Sequence, residues 1–281
     1  MRQRFIFFGT PRFAESALER LIENGIVPSL VVCNPDRPTG RKKEITPPPA
    51  KILAEKHDIP VFQPEKIAAE SLKTEIDKAE FGVLASYGKI IPKETIELFP
   101  KGIIGIHPSL LPEYRGATPI QSAILSGEKE TGVSVFLMDE KVDHGPVIGM
   151  LRMPIAHDDT YLVLEKKLAL AGADLLAEIL PGYLEGKIVP KEQEHEKATF
   201  TKKTAADDAF LPIEDLSSAL QGDMEKARRI DRMVRALNPE PGVWTTKDGK
   251  RMKILGTRLL GSGLMLTKIQ MEGKVPREID F

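Results

Sequence analysis

The chain of 281 residues contains one cysteine, Cys33. A single thiol excludes internal disulfides and cysteine-rich metal sites, and Cys33 reads as a small buried apolar residue. No apolar run approaches the roughly 18 residues that a membrane span requires. The opening "MRQRFIFFGTPRF" runs directly into fold-like sequence and shows no signal or transit pattern. Internal repeats and low-complexity tracts are missing as well. A cytosolic protein with one large domain and a smaller one is the expectation.

Neither sign of charge dominates, with 40 Lys and Arg against 41 Asp and Glu and a net charge of -1. The distribution is uneven. From Lys226 to Phe281 there are 13 basic and 6 acidic side chains, a local +7 that leaves -8 for residues 1–225. A basic C-terminal segment on an acidic body suits a polyanion partner, although a solvated basic surface has the same composition.

Short apolar runs alternate with helical periodicity. "RFIFFG" reads as a strand, and "TPRFAESALERLIENG" as a helix whose Phe13, Ala17, Leu18, Leu21 and Ile22 share a face. "VPSLVVC", "IPVFQP", "FGVLAS" and "GIIGIH" read as further strands, with "PAKILAEKHD" as a helix. Strands apolar on both faces and alternating with helices predict an α/β fold with a mainly parallel sheet covered on two sides. "TPIQSAILSG" predicts a helix and "GVSVFLMD" a strand. A long helix is expected from Asp159 to Leu180, stopped by Pro181 and Gly182.

Residues 187–223 turn polar and read as a linker between a domain at 1–186 and one at 224–281. In the latter, "EKARRIDRMVRALNP" places Ile230, Met233, Val234 and Leu237 on one helical stripe and Arg228, Arg232 and Arg235 on the opposite side. "GVWTT", "KRMKILGTRLL" and "GLMLTKIQM" predict three strands of a small β unit.

In a parallel sheet, ligands bind where loops leave the carboxyl ends of the strands. "FFGTPRFA" offers a glycine turn into a helix N-terminus but lacks the three-glycine dinucleotide pattern, which disfavours a plain NAD domain. In "GIIGIH", strand alternation turns Gly105 and His107 to one face and Ile104 and Ile106 to the other. His107 then ends a buried strand where a catalytic imidazole would stand. Asp143, in the loop after the next strand, is placed to orient it if neighbouring parallel strands bring the two together. Spacing alone also allows a hydrogen-bonded structural histidine and a turn aspartate. His144 reads as a loop residue, and His57, His157 and His195 as surface residues. The segment Asn34 to Lys51 is rich in proline and charge, and Arg37, Arg41, Lys42 and Lys43 form a basic, mobile tip suited to phosphate contact, or a solvated connection.

Taken together, "FFGTPRFA", "NPDRPTGRKK", "VFQP", "ASYGKIIP", "IHPSLLPEYRGATPIQSAI", "GEKETGVSVFLMDEKVDHGP" and "RALNPEPGVW" resemble the methionyl-tRNA formyltransferases, a branch of the folate-dependent formyltransferase family. The resemblance spans nearly the whole chain in order. It implies a Rossmann-like formyltransferase domain at 1–186 and an RNA-binding β domain resembling a truncated OB-like barrel at 224–281. The implied reaction is formyl transfer from 10-formyltetrahydrofolate to the α-amine of methionyl initiator tRNA, without a metal, by a monomer in a bacterial cytoplasm. The resemblance makes His107 the catalytic imidazole and Asp143 its carboxylate partner. It assigns the folate site to Ser86, Tyr87 and Gly88 of the "SYGKIIP" loop and to Ser109, Leu110, Leu111 and Pro112. Arg41 falls at the tRNA-contacting loop arginine, supported by Arg37, Lys42 and Lys43, and Arg228, Arg232 and Arg235 would also meet RNA.

Two departures bear on this. The family pattern before the histidine is Asn-x-His, whereas here the first position is Gly105, so one oxyanion donor is lost and a water or Ser109 is left to fill the space. The C-terminal strands also skip a stretch of the family's barrel. Formylation of a sugar-nucleotide amine, and a non-catalytic tRNA- or folate-binding homologue, are the alternative readings.

Overall fold

Five consecutive buried residues, Phe5–Gly9, form strand β1, and burial on both faces sets this strand inside a sheet. The computed structural model describes residues 4–40, 43–67, 70, 72, 74 and 78–279. The chain divides into two compact units, one of residues 1–116, 131–153 and 165–200, the other of residues 117–130, 154–164 and 201–281.

In the first unit, β1 is joined by β2 (Leu30–Val32), β5 (Val61–Phe62), β6 (Phe81–Ala85), β7 (Ile103–His107), β9 (Glu130–Leu137) and β10 (Val147–Pro154). They pair in the order β10-β9-β7-β6-β1-β2-β5. From β7 to β5 every pairing is parallel. Strand β9 instead runs antiparallel to β7, with Gly105 opposite Phe136 and His107 opposite Ser134. The expectation that neighbouring parallel strands bring Asp143 to His107 is thus corrected. The aspartate returns through the loop after β9, which folds back so that Leu137 N donates to Pro146 O at 2.8 Å. Strand β10 is absent from the sequence reading because it is a half-exposed edge strand, interrupted by Gly149, whose alternation is weak.

Helix α1 (Arg12–Glu23) buries Phe13, Ala14, Ala17, Leu18 and Leu21, and α2 (Pro49–Lys56) follows as expected, while the four-residue α3 (Lys93–Ile96), too short to leave a periodic signal, adds to the predicted elements. The segment read as a mobile tip carries a small exposed antiparallel hairpin, β3 (Arg37–Thr39) and β4 (Glu44–Thr46). Its base is tied down. Lys51 Nζ meets Asp36 at 2.9 Å, and Gln63 Nε2 donates to Asp36 Oδ1 at 2.7 Å. These bonds, that of Gln63 first, hold the Asp36 carboxyl below its ordinary range. The two-residue strand β8 (Arg115–Gly116) pairs with β11 (Phe200–Thr201).

The long helix α5 spans Tyr161–Leu184 and runs through Pro181, one turn past the predicted stop. A proline forfeits its own N–H bond and crowds the carbonyl one turn back but still accepts at its own carbonyl, and Glu185 N donates to Pro181 O at 3.1 Å, closing the last turn. Gly172 lets this helix settle against the back of β7, since a Cβ there would collide with Ile106 Cγ2 and lie 2.8 Å from Val133 Cγ2. Ile106 therefore faces the helix and the opposite face of β7, with Gly105 and His107, is left for the site.

In the second unit, α4 (Pro119–Ser126), α6 (Ile213–Leu220) and α7 (Met224–Leu237) accompany a four-stranded antiparallel sheet. The strands β12 (Trp244–Lys247), β13 (Lys250–Leu260), β14 (Gly263–Met271) and β15 (Arg277–Glu278) pair in that order. Three strands were expected; the fourth is a two-residue edge, too short to leave a periodic signal. Asp223 caps α7 by accepting from Lys226 N at 3.1 Å. Its stripe of Ile230, Met233, Val234 and Leu237 is buried, and the helix packs on β13 and β14. The arginine side is partly covered as well. Asp231, only 5% exposed, binds Arg235 Nε at 2.8 Å and accepts from Thr257 Oγ1 at 3.0 Å. Arg232 lies against Gly127.

Candidate active site

His107 ends β7 at 5% exposure, and its ring is bracketed by oxygens. Nδ1 lies 3.5 Å from Asp143 Oδ2, and Nε2 is 3.0 Å from the carbonyl of Tyr114. Both are acceptors only, so a doubly protonated ring has a donor for each. Asp143 adopts a left-handed φ of 50° in its loop, and its Oδ2 accepts from Gly116 N at 2.7 Å. The structure thus brings together the two residues that the sequence paired.

The loop that carries Asp143 is held from the side by groups the sequence did not disclose. Gln193, buried among polar partners, donates from Nε2 to the carbonyls of Asp143 at 3.0 Å and Gly145 at 2.7 Å. Its Oε1 accepts from Arg115 Nη2 at 2.6 Å and Nε at 3.2 Å. Arg115 is 3% exposed, and burial pushes its guanidinium below the ordinary arginine value against the pull of Asp143 and Asp139. Arg115 Nη2 also lies 2.9 Å from His195 Nδ1. His195, expected to be an unpartnered surface residue, stacks its ring on His144 with centroids 4.0 Å apart, and His144 Nδ1 is 2.7 Å from Asp139 Oδ2. His57 and His157 are exposed. Nothing in the polar stretch around Gln193 signals its partner, because the two sites are separated by 50 residues.

The space beside His107 is settled by Phe136. A Cβ at Gly105 would stand 2.7 Å from Phe136 Cζ and 3.0 Å from Cδ1, so the phenyl ring lies where a side chain at 105 would go. Ser109 is engaged elsewhere, donating from Oγ to Glu113 O at 2.6 Å. Ser134, opposite His107, donates to Ser109 O at 2.7 Å and accepts from Leu111 N at 3.0 Å. Neither of the two expected occupants of that space, a water or Ser109, is required. The alternation of "GVSVFLMD" carried the signal that Phe136 and Ser134 share a face, but not the register that sets the ring on Gly105.

Of the residues assigned to folate, Ser109 and Leu111 are buried, while Leu110 packs onto β9 at Gly132, where a Cβ would lie 3.1 Å from Leu110 Cγ. Pro112 O accepts from Thr199 N at 3.3 Å. Ser86 and Gly88 are exposed with positive φ of 50° and 81°. The Tyr87 side chain departs from expectation. It is 1% exposed, edge-on to Phe8 at 5.9 Å, and burial pushes its phenol up to about 12. An aromatic ring between apolar neighbours stays in the core, so only the Tyr87 backbone faces the loop, its carbonyl accepting from Thr10 Oγ1 and Asn34 Nδ2 at 3.3 Å.

Among the basic residues, Arg41 and Lys42 lie outside the described residues. Lys43 is exposed, and Arg37 is exposed but paired with Glu65 at 2.6 Å. Arg228 is exposed, whereas Arg232 and Arg235 are half-buried in the contacts described above. No group of three or more His, Cys, Asp or Glu poised for a metal occurs among the described residues. None of the described helices is long and apolar enough to cross a membrane.

Residues 1–180 match the formyl transferase family model, and residues 224–264 match that of the formyl transferase C-terminal domain. A methionyl-tRNA formyltransferase of Halalkalibacterium halodurans is 41% identical over 253 residues, covering 89% of this chain and 77% of its own. One from Myxococcus xanthus is 40% identical over 305 residues, covering 100% and 94%. Among solved structures, a methionyl-tRNA formyltransferase from Clostridium thermocellum superposes with a TM-score of 0.62 at 17% identity, covering 96% of this chain and 98% of that one. The N-formyltransferase from Helicobacter canadensis, solved with folinic acid and dTDP-3-aminofucose, gives 0.64 at 17% identity, covering 95% of each chain. The chain belongs to the formyl transferase family and, within it, to the methionyl-tRNA formyltransferase branch.

Proposed function

We propose that the protein transfers the formyl group of 10-formyltetrahydrofolate to the α-amine of methionyl initiator tRNA, with His107 and Asp143 as its catalytic pair. The observation that carries this reading is the contact of Nδ1 with Oδ2 at the exit of β7, in a chain whose curated relatives carry that activity in their names. The amine attacks the formyl carbon, an oxyanion develops, and the carbon–nitrogen bond to the folate breaks, returning a proton to the folate nitrogen. Nδ1–H is held only loosely at 3.5 Å, and such bonds tighten or redirect when substrate binds. It is the donor placed to meet the oxyanion, while the Asp143 carboxylate balances the imidazolium and receives the proton of the attacking amine.

The co-substrate would lie along Ser109 to Pro112 and the backbone of Ser86, Tyr87 and Gly88. Residues 187–200, read as part of a linker, carry Gln193 to the Asp143 loop within the first unit, and residues 201–223 carry α6 in the second, so the catalytic part extends beyond 1–186 and the RNA-binding part is centred on 224–281. Arg37, Lys43 and Arg228, which are exposed, together with Arg41 and Lys42 between the first two in sequence, meet tRNA phosphates, and Arg232 and Arg235 chiefly hold the C-terminal unit together. A monomer working in a bacterial cytoplasm suits this role.

The test is formyl transfer to methionyl initiator tRNA by the unmodified protein, His107→Ala and Asp143→Asn. Each substitution should lower turnover roughly 10²- to 10⁴-fold. Transfer to an amino-sugar nucleotide but not to tRNA would overturn the acceptor, and binding of both substrates without transfer would overturn the catalysis.

A further inference from the structure

Two facing strands meet at the site with glycine on one and phenylalanine on the other. Gly105 and Phe136 are register partners in the β7/β9 pair. The Phe136 ring is 3% exposed and stands edge-on to the His107 ring, 88° between planes and 6.5 Å between centroids. No rotamer of a larger residue at 105 avoids the ring, because the collision is with Cβ itself, 2.7 Å from Cζ.

The imidazole is thus bounded on three sides. The Tyr114 carbonyl lies at Nε2, the Asp143 carboxylate at Nδ1, and the Phe136 edge beside the ring. The first two are polar contacts at the ring nitrogens, which hold the imidazole by its edge. The phenyl ring, seated on backbone, bounds its flank, and a close-packed contact of this kind restricts side-chain rotation. Aromatic packing onto a cross-strand glycine also restores contact area that the glycine itself lacks.

We infer that Phe136 is a positioning residue of the His107–Asp143 centre, and that Gly105 is glycine because the ring needs its space. The two act as one unit that fixes the imidazole and excludes water and any side-chain donor from its flank. This rests on the transfer reaction proposed above. With the flank closed, the side-chain donor to the oxyanion is His107 alone, so the orientation of its ring governs turnover more than it governs binding.

The experiment compares Gly105→Ala, Phe136→Leu, the double variant and the unmodified protein. It measures kcat and KM for methionyl initiator tRNA and 10-formyltetrahydrofolate, the thermal midpoint, and the imidazole nitrogen resonances of His107 without substrate. The added methyl should push the ring onto the imidazole, so Gly105→Ala should lower kcat by about 10²-fold, as misplacement of a catalytic group by about 1 Å does. Both KM values should barely move. Phe136→Leu alone should lower kcat at constant KM, by less than Gly105→Ala, because leucine keeps part of the flank; in the double variant leucine leaves the room that the methyl needs, so its kcat and His107 resonances should match those of Phe136→Leu.

Unchanged kcat and resonances in Gly105→Ala would overturn the inference. So would a double variant that regains thermal stability but keeps the kcat of Gly105→Ala instead of rising to that of Phe136→Leu, and so would an unchanged kcat in Phe136→Leu, the outcome of a purely packing role. Should Gly105→Ala fail to fold, Phe136→Leu alone decides, since a positioning role requires a fall in kcat at constant KM. If the unmodified protein transfers no formyl group, the functional reading fails, and the inference stands or falls on the resonances of the single and double variants.

Discussion

Gln193 holds Asp143 by its backbone, donating from Nε2 to the aspartate's carbonyl at 3.0 Å while its Oε1 takes two bonds from the buried Arg115. The carboxylate is thus left to Gly116 N and His107 while the chain that carries it is anchored from a different segment. Gln193→Leu keeps the shape and removes both functions. It leaves two carbonyls and a guanidinium short of partners, each costing about 1 to 3 kcal/mol when buried. The expected outcome is a lower thermal midpoint together with a fall in kcat that exceeds any rise in KM; unaltered kcat in a folded variant would refute the anchoring role.

Substituting asparagine at Gly105 has opposite outcomes on the two levels of description. Motif resemblance alone expects Gly105→Asn to restore a lost oxyanion donor and raise turnover. The phenyl ring at that spot reverses the expectation. Overpacking should cost about 1 to 3 kcal/mol, and turnover should fall. Urea unfolding and single-turnover transfer rates measure the two effects separately.

Asp231 joins α7 to β13 by binding Arg235 and Thr257 from a nearly buried position. Replacing it with alanine takes one acceptor from the half-buried Arg235 guanidinium, which keeps the Asp159 carbonyl, and the acceptor of Thr257 Oγ1, a loss of about 1 to 3 kcal/mol. Asp231→Ala should lower the urea midpoint of the protein, whereas Arg228→Ala, on an exposed side chain, should leave it unchanged.

The same helix separates RNA contact from structure. Arg228→Ala should weaken tRNA binding and reduce the slope of log K against log salt by about 1, the signature of one lost phosphate contact. Arg235→Ala should act mainly through stability, because its guanidinium is spent on Asp231 and on the carbonyl of Asp159 at 3.0 Å. Equilibrium binding at several salt concentrations distinguishes the two.

Cys33 is fully buried, and burial pushes its thiol up to about 11. A raised thiol pKa leaves little thiolate at pH 8, and the thiolate is the reactive form. Iodoacetamide should therefore label the native protein far more slowly than the protein in denaturant. Equal rates would contradict the burial.

The local sequence determined the central strands β1, β2, β5, β6, β7 and β9 and the helices α1, α2 and α5, since apolar runs bounded by glycine and proline have few alternatives. It also determined that Gly105 and His107 share a face, because alternation along a strand is a property of the backbone alone. Where Asp143 is concerned, the sequence supplied the residue and the structure supplied the route, through a loop folded back from an antiparallel strand. The Phe136 ring on Gly105, the Gln193 anchor, the burial of Tyr87, the seat of Arg232 against Gly127 and the bond of Arg235 to the Asp159 carbonyl were decided only in three dimensions. Each depends on which distant segment comes to lie opposite, a matter of strand register and packing that leaves no period in either segment by itself.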